Sequence, residues 1–354
     1  MKLAVISSSV LKTPPDTYGG LEAFVYDLCC GISQSDWDIT LFALEGSKAP
    51  RGVELFSTPE TPDFGQYAYE MYKDQLKDFD VVSDHSHHKW AYLQDIPITG
   101  TMHGVQTWSG IPPSNLSHLR PVQLPKKYPR LIAISQWQAT DTVKRYGKDS
   151  LVIHLCVDTE KYTPEYDKDN KLLCMGVMLP HKGHDTAINA AKIANVPIDI
   201  AGETEFGTNQ EYKERINSLI EPDIGSYYAG KRPDIIMWGT VSHDTKVNLL
   251  QRSKALLLPS KVDEAWSLLA LESLACGTPV IASNSGALPE IIEHGVNGFI
   301  VNTSDPVEWA RYIQKVDTID NHKCRQTVEE RFSIPIISKQ YLHTFDRIVE
   351  GVKW

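Results

Sequence analysis

Short apolar runs bounded by polar turns alternate with stretches whose apolar residues recur at helical spacing, and the alternation continues along nearly the whole chain. The runs read as buried strands and the periodic stretches as the helices that cover them. In the first half, strands are predicted over 3–7, 38–43, 81–83, 98–101, 130–134 and 151–155. Helices are predicted over 20–32 and 141–146, the second closed by Gly147. The polar stretch 157–170 carries a proline and predicts a linker. Beyond it, strands are predicted over 172–175, 197–201, 235–239, 255–259, 280–282 and 298–301, and helices over 184–194 and 305–316. Asp305 suits the cap of the last of these and Pro306 its first position. The tail over 326–350 is predicted to be mostly helical. Such alternation implies α/β architecture with parallel sheets. Ligands of open parallel sheets lie beyond the carboxyl ends of the strands, so chemistry is expected in the loops that follow them.

At 354 residues the chain is long enough for two domains. Hydrophobic content of 42% and charged content of 23% are ordinary for a water-soluble globular protein. A net charge of −10 argues against nucleic acid as a main partner. No apolar run approaches the length of a membrane span, and 1–6 reads as a first strand rather than a leader. The six cysteines form no C-x-x-C pair and most sit in apolar segments, which predicts reduced, buried thiols in a cytoplasmic protein.

The most informative stretch holds Glu264 and Glu272 eight positions apart, separated by an almost wholly apolar run. A carboxylate in such a run is costly to bury without hydrogen-bond donors. The hydroxyls of a sugar and a ribose are suitable donors. The run is predicted to start a buried helix that stops at Cys276-Gly277, with Pro279 just beyond and 280–282 as the next strand. This Glu-x7-Glu pattern with its Cys-Gly-Thr-Pro-Val tail resembles the donor-binding signature of the retaining GT-B glycosyltransferases, family 4-like and group 1. The resemblance implies that Glu264 holds hydroxyls of the donor sugar and Glu272 those of the ribose. It also implies that the backbone N–H groups of Trp266, Ser267, Leu268 and Leu269 face the diphosphate.

Other motifs fall in register with that resemblance. Gly19 and Gly20, with Glu22, open the first predicted helix; alone they are a tight turn, and in the family they contact the donor diphosphate or the acceptor. Lys182-Gly183 ends a segment that begins at Gly176, and the family uses this lysine to neutralise the diphosphate. The family's arginine position is Val177 here, a departure for which Arg252 or His181 could compensate. His103, in Thr101-Met-His-Gly104, is implied to hydrogen-bond the sugar. His85 and His87, in Asp84-His-Ser-His-His88, are implied to line the acceptor side, as is Ser135. The histidines suggest a metal at first sight, but no carboxylate or cysteine with ligand spacing accompanies them, and none is expected. Val241 is implied to read the base through its backbone. The basic run Lys126-Lys127-Tyr-Pro-Arg130 reads as a solvated loop, so docking on a membrane surface is unsupported.

The expectation is therefore an α/β GT-B protein with two Rossmann-like parallel-sheet domains facing across a cleft. Residues 1–157 would bind the acceptor and 158–330 the nucleotide sugar, with 331–354 packing back on the first domain. The implied activity is a hexosyltransferase that retains anomeric configuration. Its catalytic residues would be His103, Glu264 and Lys182, with a nucleotide sugar of the UDP-glucose type as co-substrate and no cofactor. The acceptor, whether a small molecule, a glycan or lipid-linked, is left open, as is the oligomeric state. Two alternatives remain: a non-catalytic sugar-nucleotide-binding protein, favoured by Val177, and a phosphorylase or disaccharide synthase on the same fold.

Overall fold

The computed structural model describes residues 1–17, 19–60, 65–87, 89–104, 130–202, 209–220 and 234–352. Tyr18, His88 and the Lys126-Lys127 patch lie outside the described residues. The chain divides into two units, Met1–Cys156 with Ile334–Trp354, and Val157–Ser333.

The first unit is built on β1 (Lys2–Ile6), α1 (Gly20–Ile32), β2 (Asp38–Leu44), β3 (Val53–Thr58), α2 (Gln66–Tyr72), β4 (Val81–Asp84), β5 (Ile98–Met102), β6 (Arg130–Ala133), α3 (Gln136–Tyr146) and β7 (Leu151–Val152). Its parallel sheet runs β3-β2-β1-β4-β5-β6-β7, with Leu3 opposite Ile39 on one side and Val81 on the other. Chain order reverses between β1 and β4, which places the switch point of the sheet beside the loops after these two strands.

The second unit contains β8 (Leu172–Met175), α4 (His184–Ala194), β9 (Ile198–Ala201), α5 (Gln210–Ile220), β10 (Ile235–Gly239), α6 (His243–Arg252), β11 (Ala255–Leu258), α7 (Leu268–Ala275), β12 (Val280–Ser283), α8 (Leu288–Ile291), β13 (Gly298–Val301), α9 (Pro306–Lys315) and α10 (Asn321–Arg331). The sheet order is β10-β9-β8-β11-β12-β13, again parallel, with its switch point between β8 and β11. Buried aliphatic side chains such as Leu172, Leu256 and Ile281 fill both faces of the strands, as helices on both sides require. Asp305 caps α9 by accepting from the Val307 N–H at 3.0 Å, with Pro306 in the first turn.

The last helix, α11 (Ile334–Val349), belongs to the first unit. It lies against α1 where Gly31 has no side chain; a Cβ there would fall 1.9 Å from Ser338 Oγ. Tyr341 Oη and Thr101 Oγ1 are 3.0 Å apart, and Trp37 Nε1 donates to Asp346 at 3.2 Å.

Two differences from the sequence reading have physical causes. β3, α2, α5 and α8 were not anticipated, and the strand expected over 151–155 is only Leu151–Val152; β3 is an edge strand whose side chains are mostly half-exposed, so it lacks an apolar run. The stretch 157–170 is not a free connector but part of the second unit. Lys168 Nζ donates to Gln251 O (2.7 Å), Cys276 O (3.0 Å) and Thr278 Oγ1 (2.7 Å), and burial lowers its pKa to about 8. Arg325 holds the Thr159 and Tyr162 carbonyls. Polar side chains there satisfy the orphan carbonyls of neighbouring elements rather than water.

None of the six cysteines is in a disulfide and five are buried; burial pushes Cys174, Cys276 and Cys324 up to about 12, so these thiols stay protonated. Among the described residues no helix is long and apolar enough to cross a membrane.

Candidate active site

In the second unit, the loops after β8 and β11 meet at the switch point of the sheet. The first carries Lys182 and the second Glu264, 82 residues apart in sequence. Lys182 Nζ donates to Glu264 Oε1 at 2.7 Å, and Ser260 Oγ lies 2.8 Å from the same oxygen. Gly183 is needed for this approach: its φ is +73°, and a Cβ would fall 2.0 Å from the Pro259 carbonyl oxygen. The loop after β12 supports the Glu264 backbone from the other side. Ala287 N donates to Glu264 O at 2.7 Å, and Gly286 N to Asp263 Oδ1 at 3.1 Å. A Cβ on Gly286 would fall 2.2 Å from Glu264 O.

Glu264 precedes α7, and Glu272 sits in its second turn. Ser267 caps α7 by accepting from Ala270 N at 3.2 Å. As first-turn residues, Leu268 and Leu269 have N–H groups without intrahelical acceptors, and the positive end of the helix dipole lies there. The Trp266 ring is buried against Phe332, with centroids 5.4 Å apart. Glu272 Oε1 accepts from Lys246 Nζ at 2.7 Å and from Tyr162 Oη at 2.6 Å. Lys246 also lies 5.2 Å from the Tyr162 ring centroid, a cation–π contact. Each carboxylate of the Glu-x7-Glu pair is thus held by one lysine and one hydroxyl. None of Lys246, Tyr162 and Ser260 was assigned to the site from the sequence. Lys246 and Tyr162 lie 26 and 110 residues from Glu272 and on other elements, so only the fold reveals them.

Val177 stands at the expected arginine position, and Arg252 does not replace it. The Arg252 guanidinium forks onto Asp169 at 2.9 and 2.7 Å. His181 is half-buried, and its carbonyl accepts from Lys261 N. Val241 is half-buried immediately before Ser242, which caps α6.

In the first unit, the predicted histidines come together. His85, after β4, is 0% exposed, and its Nδ1 is 3.0 Å from Nε2 of His103, after β5. Ser83 Oγ lies 3.0 Å from His85 Nε2. Phe24 packs against both imidazoles. Burial pushes both pKa values well below the usual histidine range, with the neighbouring Lys89 charge acting in the same direction. Lys89 itself is lowered to about 8 by burial, and Asp84, 3.9 Å away, is raised by it.

Glu22 is buried in the first turn of α1, and burial raises its pKa against the opposing hydrogen bonds of its own backbone and Ser8. Gly19, at φ +152°, lets Glu22 fold back; a Cβ there would fall 2.8 Å from Glu22 Oε2. Gly20 begins α1. His87 is exposed, and its charge acts on His103 in the same direction as burial. Ser135 is buried and caps α3, accepting from Gln138 N at 3.0 Å. Among the described residues no group of three or more His, Cys, Asp or Glu side chains is arranged to hold a metal ion.

Residues 158–331 match the family model described as glycosyl transferases group 1, and 18–161 match Glycosyltransferase Family 4. An uncharacterized glycosyltransferase of Methanocaldococcus jannaschii is 26% identical over 63% of this chain and 58% of its own length. A D-inositol 3-phosphate glycosyltransferase of Mycolicibacterium vanbaalenii is 26% identical over 63% of this chain and 52% of its own. The chain thus spans about half the length of these relatives. Among solved structures, AviGT4, a glycosyltransferase of avilamycin A biosynthesis, superposes with a TM-score of 0.74 at 21% identity, covering 100% of this chain and 99% of its own. Sucrose-phosphate synthase from Thermosynechococcus elongatus gives 0.75 at 17%, covering 99% and 100%. Anabaena HepE, solved with UDP-glucose, gives 0.73 at 18%, covering 98% and 99%. These likenesses identify the two parallel-sheet α/β units as the GT-B fold.

Proposed function

Because this chain belongs to the glycosyltransferases of group 1 and Family 4, we propose that it moves a hexose from a nucleotide-diphosphate sugar, of the UDP-glucose type, to an acceptor hydroxyl with retention of configuration. The observation that carries this reading is the pair of carboxylates around the start of α7, each held by a lysine and a hydroxyl. Ligand hydroxyls can take the places of Ser260 and Tyr162 without leaving either carboxylate unpaired. In this assignment Glu272 holds the ribose and Glu264 the sugar. Lys182 and the first-turn N–H groups of α7 neutralise the diphosphate, and the Val241 backbone reads the base. The Anabaena neighbour, solved with UDP-glucose, supports a donor of this type.

Gly19, Gly20 and Glu22, with His85, His87 and Ser135, are assigned to the acceptor side, and His103 to the transferred sugar. In the reaction the bond from the anomeric carbon to the leaving phosphate oxygen breaks. The acceptor oxygen bonds the same face, and its proton passes to the departing diphosphate. This route uses no protein nucleophile, metal or cofactor.

NMR of the product and calorimetry with the nucleoside diphosphate test the reading. An α-linked donor is expected to give an α-linked product. His103→Ala is expected to lower transfer while nucleoside diphosphate binding persists, because the nucleotide is assigned to the second unit. A β-linked product would overturn retention, and loss of nucleotide binding in a folded His103→Ala would overturn the division of labour.

A further inference from the structure

Three hydrogen bonds run in one line through the first unit. Thr99 Oγ1 donates to Ser83 Oγ at 3.5 Å, Ser83 Oγ lies 3.0 Å from His85 Nε2, and His85 Nδ1 lies 3.0 Å from His103 Nε2. Thr99, Ser83 and His85 are 0% exposed. At the end of the line, His103 Nδ1 is buried and has no hydrogen-bond partner among the described residues. The rings cannot turn freely, since Phe24 packs on both and Tyr341 on His85.

A neutral imidazole has one N–H and one bare nitrogen, so each nitrogen–nitrogen contact needs one of each. Burial keeps both imidazoles neutral. Ser83 accepts from Thr99 and keeps its own hydroxyl proton to give. Among the described residues His85 Nε2 is the one other partner of Ser83 Oγ, so the buried hydroxyl proton is satisfied only by donation there, onto a bare nitrogen. The His85 proton is then on Nδ1, and it is donated to His103 Nε2, which must also be bare. That leaves the His103 proton on Nδ1, the one nitrogen without a partner.

The geometry points to Ser83 and His85 as positioning residues that fix His103 in the Nδ1–H tautomer, so that it meets its substrate as a hydrogen-bond donor to an oxygen. The inference rests on the assignment of His103 to the transferred sugar. It adds a specificity element: the Nδ1 position takes a hydroxyl or phosphate oxygen that has a lone pair to offer. It also removes His103 as the base for the acceptor hydroxyl, since its bare nitrogen is occupied by His85. In the reverse orientation of the line, with Ser83 accepting from His85, His103 would present a lone pair and could take that proton.

Nitrogen-15 NMR of protein labelled at histidine reads the tautomer directly, because protonated and bare ring nitrogens differ widely in shift. His103→Gln assigns the signal. The wild type is expected to show Nδ1 protonated and Nε2 bare in both His85 and His103. Ser83→Ala removes the directing hydroxyl, so His103 should become a mixture of tautomers. Transfer should then fall about five- to tenfold, as only the competent fraction reacts, with unchanged nucleoside diphosphate affinity. His85→Asn, whose amide can still donate to His103 Nε2, should retain the Nδ1–H form; His85→Leu should not. A wild-type His103 protonated on Nε2 overturns the proposal, as does a folded Ser83→Ala with unchanged tautomer and rate. If the tautomer is as expected but adding UDP-glucose leaves the His103 signals unmoved, the relay stands and the assignment of His103 to the sugar falls.

Discussion

The two units place functional side chains in the same topological location and treat charge in opposite ways. At the switch point of the second unit, Lys182 and Glu264 pair with 34% and 20% of their side chains exposed, and Lys246 and Glu272 with 24% and 12%. At the corresponding point of the first unit, His85 is fully buried and His103 is held neutral. Where the first unit does bury a charged pair, Asp84 and Lys89, burial pushes both groups toward neutrality. An ion pair that solvent still reaches can exchange its partner for a charged ligand without leaving either group buried and unpaired. A buried imidazole is stable only uncharged, and it offers a fixed hydrogen bond instead. The same fold thus provides one surface suited to a diphosphate and another suited to uncharged hydroxyls.

The sharpest way to break this contrast is Lys182→Ala. If charge handling in the second unit carries the reaction, turnover at saturating donor should fall on the order of 10²–10³-fold, as when a charge-stabilising donor is removed. Near-normal turnover would remove the lysine from the leaving-group site. Next in size, Glu272→Ala should weaken nucleoside diphosphate binding at least about tenfold, corresponding to about 1.5–3 kcal/mol for hydrogen bonds to a charged group. Calorimetry on a folded variant checks it, and an unchanged Kd would count against the ribose assignment.

A smaller effect concerns pH. His85 and His103 have folded pKa values below their unfolded value near 6.5. As pH drops below about 6.5, the unfolded chain takes up protons that the native state does not. Stability is therefore complete above that pH and is lost as pH falls, by about 1 kcal/mol per unit for each such imidazole. Burial lowers His184 to about 4, so it contributes over the window from about 6.5 to about 4. Urea unfolding at a series of pH values should show a shallower slope for His85→Asn than for the wild type between pH 6.5 and 5. Equal slopes would show that His85 does not titrate as described.

The smallest effect separates structure from function at Ser135. Loss of its cap on α3 should cost about 1 kcal/mol of stability in Ser135→Ala. A part in acceptor binding, as the sequence reading implies, should add a rise in acceptor KM. Stability and KM measured together decide how the residue divides its role.

What the sequence revealed followed the range of the interaction involved. Asp305 and Pro306 mark the start of α9 because capping is local. Gly277, at φ +73°, follows the end of α7 for the same reason. Most strands were legible because both faces are buried and the residues are apolar without interruption. The edge strand Val53–Thr58 was not, since it acquires its identity from pairing with β2 rather than from its own composition. The segment 157–170 looked like a linker because its polar groups bond carbonyls supplied by distant elements. In the site, Glu264, Glu272, Lys182, His85 and His103 could be named from motifs. The partners that set their state, Ser260, Lys246, Tyr162 and Ser83, are ordinary polar residues whose importance arises only from position. Arg252 shows the reverse case, a cation that composition offers to the site and Asp169 holds elsewhere.

One feature of the chain path bears on how the protein is made. The first unit needs α11 to cover α1: Gly31 is shaped for Ser338, and Tyr341 reaches Thr101. During synthesis residues 1–156 emerge first, yet the helix that completes their core follows the entire second unit. The N-terminal half must therefore wait on the ribosome with one face of α1 unprotected, while the second unit can finish on its own.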